Sequence, residues 1–285
     1  MPEGDTIFRA ARNLGRALVG KPVTVFRSTY PLLTRFNDDA PLAGQTVDYV
    51  EARGKWMLMY FSGGGILASH LLMNGSWHIY RHGERWQVPR FHMRIVIENS
   101  QYQAVGFRVP VAEMHTAHTL ARNTRIPLPA SDVLSAEFDA GAATERLFAR
   151  PYEAIADALL DQRVLAGVGN VFKSEICFMN GLHPYRTVGT ISRETAVATI
   201  ASAQRLLKAN VLEDSGSLIV TYRSQQRRTT HESDPAASLW VYGRNGEPCR
   251  KCGVAIRRRI QGDDARVTFW CPQCQPMPNG SDVDG

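Results

Sequence analysis

Ile7, Ala11, Leu14 and Leu18 recur at helical spacing near the start of the chain, and Gly20-Lys21-Pro22 ends the pattern, which predicts an opening helix. The period then changes. Short runs rich in β-branched and aromatic residues follow at 23–26, 46–50, 56–61, 77–80 and 93–97, separated by turn signals such as Gly63-Gly64-Gly65 and His82-Gly83. Many short strands at close spacing predict an antiparallel sandwich or barrel over residues 1–129. Residues 130–150, with Ser131-Asp132 and Ala140-Gly141-Ala142, read as a linker. Helical spacing returns at Ile155, Ala158 and Leu159, then over 171–179 and 196–211. Between the first two patterns, Leu165-Ala166-Gly167-Val168-Gly169-Asn170 sets two glycines ahead of a new helix, so 151–238 is predicted to be a helical domain with a helix, turn, helix arrangement. Its last part, 214–238, is polar and predicts a mobile loop. A cysteine-rich module occupies 239–276. The tail, 277–285, has no apolar face and predicts disorder. The expected fold class is therefore α+β and multidomain.

Composition narrows the partners. The chain has 285 residues, 44% of them hydrophobic, enough for more than one core. A net charge of +6 favours a polyanionic partner. No apolar run reaches the roughly 18 residues of a membrane span. No basic start leads into an apolar core, so no secretory signal is read. The expectation is a soluble cytoplasmic monomer with no membrane partner.

Four of the five cysteines lie near the C-terminus as Cys249-x-x-Cys252 and Cys271-x-x-Cys274, with eighteen residues between the pairs. That spacing suits one tetrahedral, four-thiolate, structural zinc ion on a hairpin, with Val254, Ile256, Phe269 and Trp270 supplying strands. Two disulfides are the competing reading, which a reducing compartment disfavours. Residues 239–277 hold seven basic and three acidic side chains. Such a hairpin suits a phosphate backbone, although Arg257-Arg258-Arg259 reads equally as a solvated face. Cys177, alone among apolar neighbours, reads as a buried core residue.

The other chemical signal is Met1-Pro2-Glu3. If Met1 is removed, Pro2 carries a free secondary amine with a pKa of about 8, partly neutral and nucleophilic at pH 7. Such an amine can attack a sugar carbon, expel a base and collapse to an iminium, with the electron-sink logic of a lysine Schiff base. Glu3 stands beside it to move protons. An ordinary exposed start is the plain reading of the tripeptide alone.

Pro2-Glu3-Gly4, Arg53-Gly54-Lys55, Leu160-Asp161-Gln162 followed by Ala166-Gly167-Val168-Gly169-Asn170-Val171, and Val241-Tyr242-Gly243-Arg244 leading into the cysteines occur in one order along the chain. Together they resemble the formamidopyrimidine-DNA glycosylase and endonuclease VIII family of bifunctional base-excision repair enzymes. The resemblance implies a β-sandwich domain, a helix-two-turn-helix domain, a zinc finger, and damaged double-stranded DNA as partner. It implies Pro2 as nucleophile, Glu3 as general acid/base, and Lys55, Asn170 and Arg266 as a clamp on the phosphates around the lesion. Read on their own, Lys55 is a solvated lysine on a turn and Asn170 a helix cap. Residues 70–77 resemble the family's gap-filling loop, with Met73 as wedge or, alternatively, as a core methionine. His70 reads as a structural histidine packed near the site.

Two features pull towards the endonuclease VIII branch, which removes oxidised pyrimidines. The start reads Glu3-Gly4-Asp5-Thr6, not Glu-Leu-Pro-Glu, and residues 103–109 lack the Asp-x-Arg-x-Phe-Gly strand of the purine branch. Asp5 stands next to the position where relatives carry a second acid, now Thr6. Leu72 or Asn74 could read the opposite strand. The expected activity is excision of an oxidised pyrimidine through a Pro2 iminium, with strand cleavage by β,δ-elimination. The alternatives are the same chemistry on oxidised purines, or a non-catalytic nucleic-acid-binding zinc-ribbon protein.

Overall fold

The computed structural model describes residues 2–212, 221 and 238–278, and divides into two compact units, 1–127 and 128–285. The first opens with α1 (Gly4–Leu18), then β1 (Val25–Ser28), α2 (Pro31–Asp39), β2 (Val47–Arg53), β3 (Trp56–Phe61), β4 (Ile66–His70), β5 (Ser76–Arg81), β6 (Met93–Glu98), β7 (Tyr102–Phe107), β8 (Val111–His115) and the short α3 (Ala117–Ala121). Two antiparallel four-stranded sheets form, in the orders β1-β6-β7-β5 and β2-β3-β4-β8.

Strand alternation sets the core. Met57, Met59 and Phe61 on β3 join Ile95 and Ile97 on β6 and Ile7, Ala11, Leu14 and Leu18 on α1 in one apolar cluster. The alternate positions are also covered. Trp56 and Leu58 pack with Ile66, Ala68 and Ile126, and Val96 packs with Tyr80, Val105 and Phe107. Burial on both faces explains why β3 reads as an unbroken apolar run rather than an alternating one.

The second unit contains α4 (Ala140–Phe148), α5 (Ile155–Leu160), α6 (Asn170–Met179), α7 (Arg193–Ala209) and a hairpin of β9 (Arg257–Gln261) and β10 (Arg266–Trp270). The linker expected at 130–150 is instead structured. Asp139 caps α4 by accepting the Ala142 N–H at 2.9 Å, Ala143 and Leu147 sit in the helical core, and Ala166 N donates to Ser131 O at 2.8 Å. Ala140 and Gly141, which looked like a loop, form the exposed first turn of α4, and the helix is held by its buried Ala143, Thr144 and Leu147. The expected mobile loop at 214–238 lies outside the described residues except at Thr221 and Ser238, as does the tail beyond Pro278.

Gln162 shapes the turn between α5 and α6. Its amide donates to Leu160 O at 2.7 Å and Val168 O at 3.0 Å and accepts from Gly167 N at 3.0 Å, while Gly167 takes a φ of 97°. Cys177 is fully buried in the helical core, as its apolar neighbours predict. A second cluster, Phe178, Val241, Cys249, Ile256, Phe269 and Cys271, belongs to the hairpin.

Glu175 on α6 joins the two clusters. Its buried carboxylate accepts the N–H groups of Trp240 at 2.8 Å and of Val241 and Tyr242 at 2.9 Å, and a bond from the Thr221 hydroxyl. Burial pushes the carboxyl upward and the four donors pull it back. Glu175→Ala strands three backbone donors in the interior, for an expected loss of about 3–5 kcal/mol in urea denaturation.

Candidate active site and nucleic-acid interface

Pro2 and Glu3 stand at the start of α1. Glu3 holds the cap position in extended conformation, and its carbonyl accepts from Ile7 N at 3.1 Å. It is 0% exposed. Asp5 is engaged within the helix, with an Arg9 guanidinium nitrogen 2.9 Å from Oδ2 and the Thr6 hydroxyl 3.3 Å from Oδ1. Burial raises the Asp5 carboxyl, against the pull of Arg9.

Lys55 occupies the two-residue turn Gly54-Lys55 between β2 and β3, closed by the Arg53–Trp56 pair, with Gly54 at a φ of 60°. Val19, just past the end of α1, bridges to Val47 at the start of β2, and α1 packs along β2. A 15-residue helix and a seven-residue strand both span about 22 Å. Lys55 thus follows the strand that packs along α1, and its charge reaches His70 at the end of β4.

His70 ends β4 opposite Trp56, and the two rings meet edge to face at 5.2 Å. Burial first and Lys55 second lower its pKa to about 4, so the ring is neutral at physiological pH. Beyond it, Met73 is 60% exposed and is no core methionine.

The second unit brings Asn170 and Arg266 close together. Asn170 is the first residue of α6, and its Nδ2 donates to Val267 O at 2.9 Å, one residue from Arg266 at the start of β10. That bond takes one amide hydrogen and leaves a second. The remaining anion-binding capacity comes from the N–H groups that open α6. Arg266 is half-exposed, 3.7 Å from Asp264. Lys173, one helical turn after Asn170, was not singled out from sequence, yet it is fully buried with Nζ 2.7 Å from Thr268 Oγ1. No sequence signal separates such a lysine from a surface one.

The four cysteines fit zinc. Their Sγ atoms lie within 4.8 Å of one another, with Cys249–Cys274 at 3.8 Å and Cys252–Cys271 at 3.4 Å. A tetrahedron with Zn–S bonds of about 2.3 Å has edges of about 3.8 Å. Lys251 N and Cys274 N each lie 3.4 Å from a preceding cysteine sulfur, and Gly253 makes its turn at a φ of 80°. Four thiolates leave no open position, so the ion is structural.

Comparison with known proteins accounts for both units. Residues 1–109 match the formamidopyrimidine-DNA glycosylase N-terminal domain, 130–221 its H2TH domain, and 246–276 the zinc finger found in FPG and IleRS. A probable endonuclease 8 2 of Streptomyces coelicolor is 38% identical over 98% of this chain and 97% of its own length. The DNA-(apurinic or apyrimidinic site) lyase Nei2 of Mycolicibacterium smegmatis is 37% identical over 96% and 99%. In fold, a Lactococcus lactis FPG mutant in complex with Fapy-dG DNA aligns with a TM-score of 0.78 at 21% identity, covering 97% of this chain and 100% of that one. No helix among the described residues is long and apolar enough to cross a membrane. Domain order, the cysteine site and full-length similarity agree that the chain belongs to the formamidopyrimidine-DNA glycosylase and endonuclease VIII family.

Proposed function

We propose that this chain is a bifunctional DNA glycosylase and AP lyase of base-excision repair that acts on damaged double-stranded DNA, with oxidised pyrimidines as its substrates. The observation that carries the reading is Glu3, a carboxyl with no solvent exposure placed directly after Pro2 at the head of α1. With Met1 removed, the Pro2 nitrogen attacks C1′ of the damaged nucleotide. The glycosidic bond breaks, the base leaves with its electron pair and takes up the proton that the nitrogen sheds, and the nitrogen becomes the iminium when the C1′–O bond of the ring breaks in turn. Glu3 gives a proton to the sugar-ring oxygen as the ring opens. Loss of a C2′ proton then breaks the C3′–O bond, and a second elimination breaks the C5′–O bond.

Lys55, Asn170 and Arg266 hold phosphates around the lesion while Met73 takes the space left by the extruded base. Cys249, Cys252, Cys271 and Cys274 hold the zinc, which cross-links the hairpin. Pyrimidine preference is supported by the missing purine-branch strand at 103–109. Relatives named endonuclease 8 reach 38% identity, against 32% for a formamidopyrimidine-DNA glycosylase of Exiguobacterium. Oxidised purines are the second reading. We place the enzyme in the cytoplasm as a monomer, with its basic charge directed at the nucleoid.

Borohydride trapping on a duplex with one abasic site tests the chemistry. The expected product is an adduct mapped to Pro2 in a chain lacking Met1. DNA binding without an adduct, with Met1 confirmed absent, would instead make the chain a binding module. Excision of 5-hydroxyuracil or thymine glycol ahead of 8-oxoguanine supports the pyrimidine reading, and the reverse order overturns it. Lys55→Ala and Arg266→Ala are each expected to reduce the salt slope of binding by about one unit, whereas Asn170→Ala, which removes a neutral contact, should weaken binding with the slope unchanged. Salt titrations of DNA affinity read this directly.

A further inference from the structure

The segment between β4 and β5 is pinned at both ends. Leu71 is buried in the sandwich core, and Gly75 N donates to Leu71 O at 2.9 Å. A Cβ on Gly75 would stand 2.8 Å from that same oxygen, so the return of the chain requires glycine. Leu72, Met73 and Asn74 lie between the pins, all exposed. Leu72 has a φ of 45°, in the left-handed region that L side chains other than Asn and Asp rarely enter. A strained leucine with an exposed side chain needs something to hold it, because an ordinary φ would turn the following residue to another direction.

His70 provides the hold. Its Nδ1 accepts the Leu72 N–H at 3.1 Å. The ring is itself fixed by its edge-to-face contact with buried Trp56 and by the β3–β4 pairing of the same two residues. Neutral well below pH 7, the ring carries a single proton, and the Leu72 N–H pointing at Nδ1 assigns that proton to Nε2.

We infer that His70 is a positioning residue: its Nδ1 locks Leu72 in the left-handed turn and so presents Met73, already aimed, to the space a flipped base vacates. This rests on the proposed glycosylase function and adds to it the device that sets the wedge. The turn is ordered before DNA arrives, so no binding energy is spent on arranging it. An exposed apolar tip is tolerated for the same reason, since a wedge held in this direction has no core to fall back into.

Four variants separate this role from an ordinary polar contact by the other ring nitrogen. His70→Asn keeps an acceptor at the Nδ1 position and deletes Nε2. His70→Ala deletes both. Leu72→Gly relieves the left-handed strain and makes the hold unnecessary, and the fourth variant combines His70→Ala with Leu72→Gly. Single-turnover excision of 5-hydroxyuracil from a duplex is the main readout, with borohydride trapping at a preformed abasic site beside it.

His70→Ala is expected to slow excision about tenfold, the population change that one such hydrogen bond carries. His70→Asn should stay within about threefold of the unsubstituted protein, and His70→Ala should cost little further when made in Leu72→Gly. The inference is overturned if His70→Asn is as slow as His70→Ala, or if His70→Ala costs the same in both backgrounds. If His70→Ala does not fold, the His70→Asn comparison decides alone. Failure of the unsubstituted protein to trap or excise would count against the proposed function itself, whereas normal trapping with a strictly additive cycle counts only against the role of His70.

Discussion

Glu3→Gln is expected to lower base excision at least about a thousandfold while leaving DNA affinity within a few fold. The substitution is nearly isosteric, so packing at the head of α1 is kept, and at 0% exposure no water can take over the lost proton transfer. The fold-change follows from what the step needs. Opening the sugar ring requires a proton at its oxygen, and an amide cannot supply one. A preformed abasic site has already lost its base and reaches an open aldehyde without enzyme, so Glu3→Gln should retain part of its borohydride-trapped adduct. Blocking the nitrogen gives a different pattern. An uncleaved residue ahead of Pro2 turns the amine into a tertiary amide, which removes excision and trapping together while binding persists. Gel-based excision, trapping and equilibrium binding on the same duplexes distinguish the two. Equal loss of trapping in both variants would move Glu3 from proton transfer to a role in shaping the Pro2 site.

How far the chain could be read from its sequence depends on whether a feature is periodic and local. The opening helix and α6 announce themselves because their apolar residues repeat at the helical period, and β3 and β6 because they are short runs dense in apolar residues. β4 does not, since Ile66-Leu67-Ala68-Ser69-His70 has small and polar residues in a strand buried almost along its length. β7 carries Gly106 at a site where a Cβ would stand 3.1 Å from Val109 and 3.3 Å from Trp77, so the residue that weakens the strand signal also leaves room for those side chains. α4 was hidden by Ala140-Gly141-Ala142, and α2 by having only Leu33 buried. The same division holds at the site. Pro2-Glu3 and the cysteine pairs are chemical patterns within a few residues. Glu175 with the N–H groups of 240–242, and Asn170 with Val267, join positions far apart along the chain and become visible only in three dimensions. The hold of His70 on Leu72 is local, but it depends on a backbone angle that no leucine advertises.

Removing the zinc, by Cys252→Ser or by chelation, is expected to melt the hairpin and leave the helical core of the second unit folded. A structural zinc contributes apparent binding free energy of about 10–16 kcal/mol, comparable with the whole stability of a typical domain. The hairpin has little else to stand on. Its apolar cluster is small and includes Cys249 and Cys271 themselves, whereas the helices keep a separate core from Val133 to Leu207. Loss of β10 takes Val267 from Asn170 and Thr268 from buried Lys173, so the phosphate contacts proposed for Asn170 and Arg266 fail together. Thiol titration reads the event directly. With zinc bound, none of the five cysteines should react quickly. After chelation four should, while Cys177 stays protected, since burial in the helical core pushes its thiol up to about 12 and denies access to reagent. Circular dichroism should retain most of its helical signal, and DNA affinity should fall with the hairpin. Full affinity in a zinc-free protein would separate the hairpin from DNA binding, and reaction of all five thiols would show that the two clusters unfold as one.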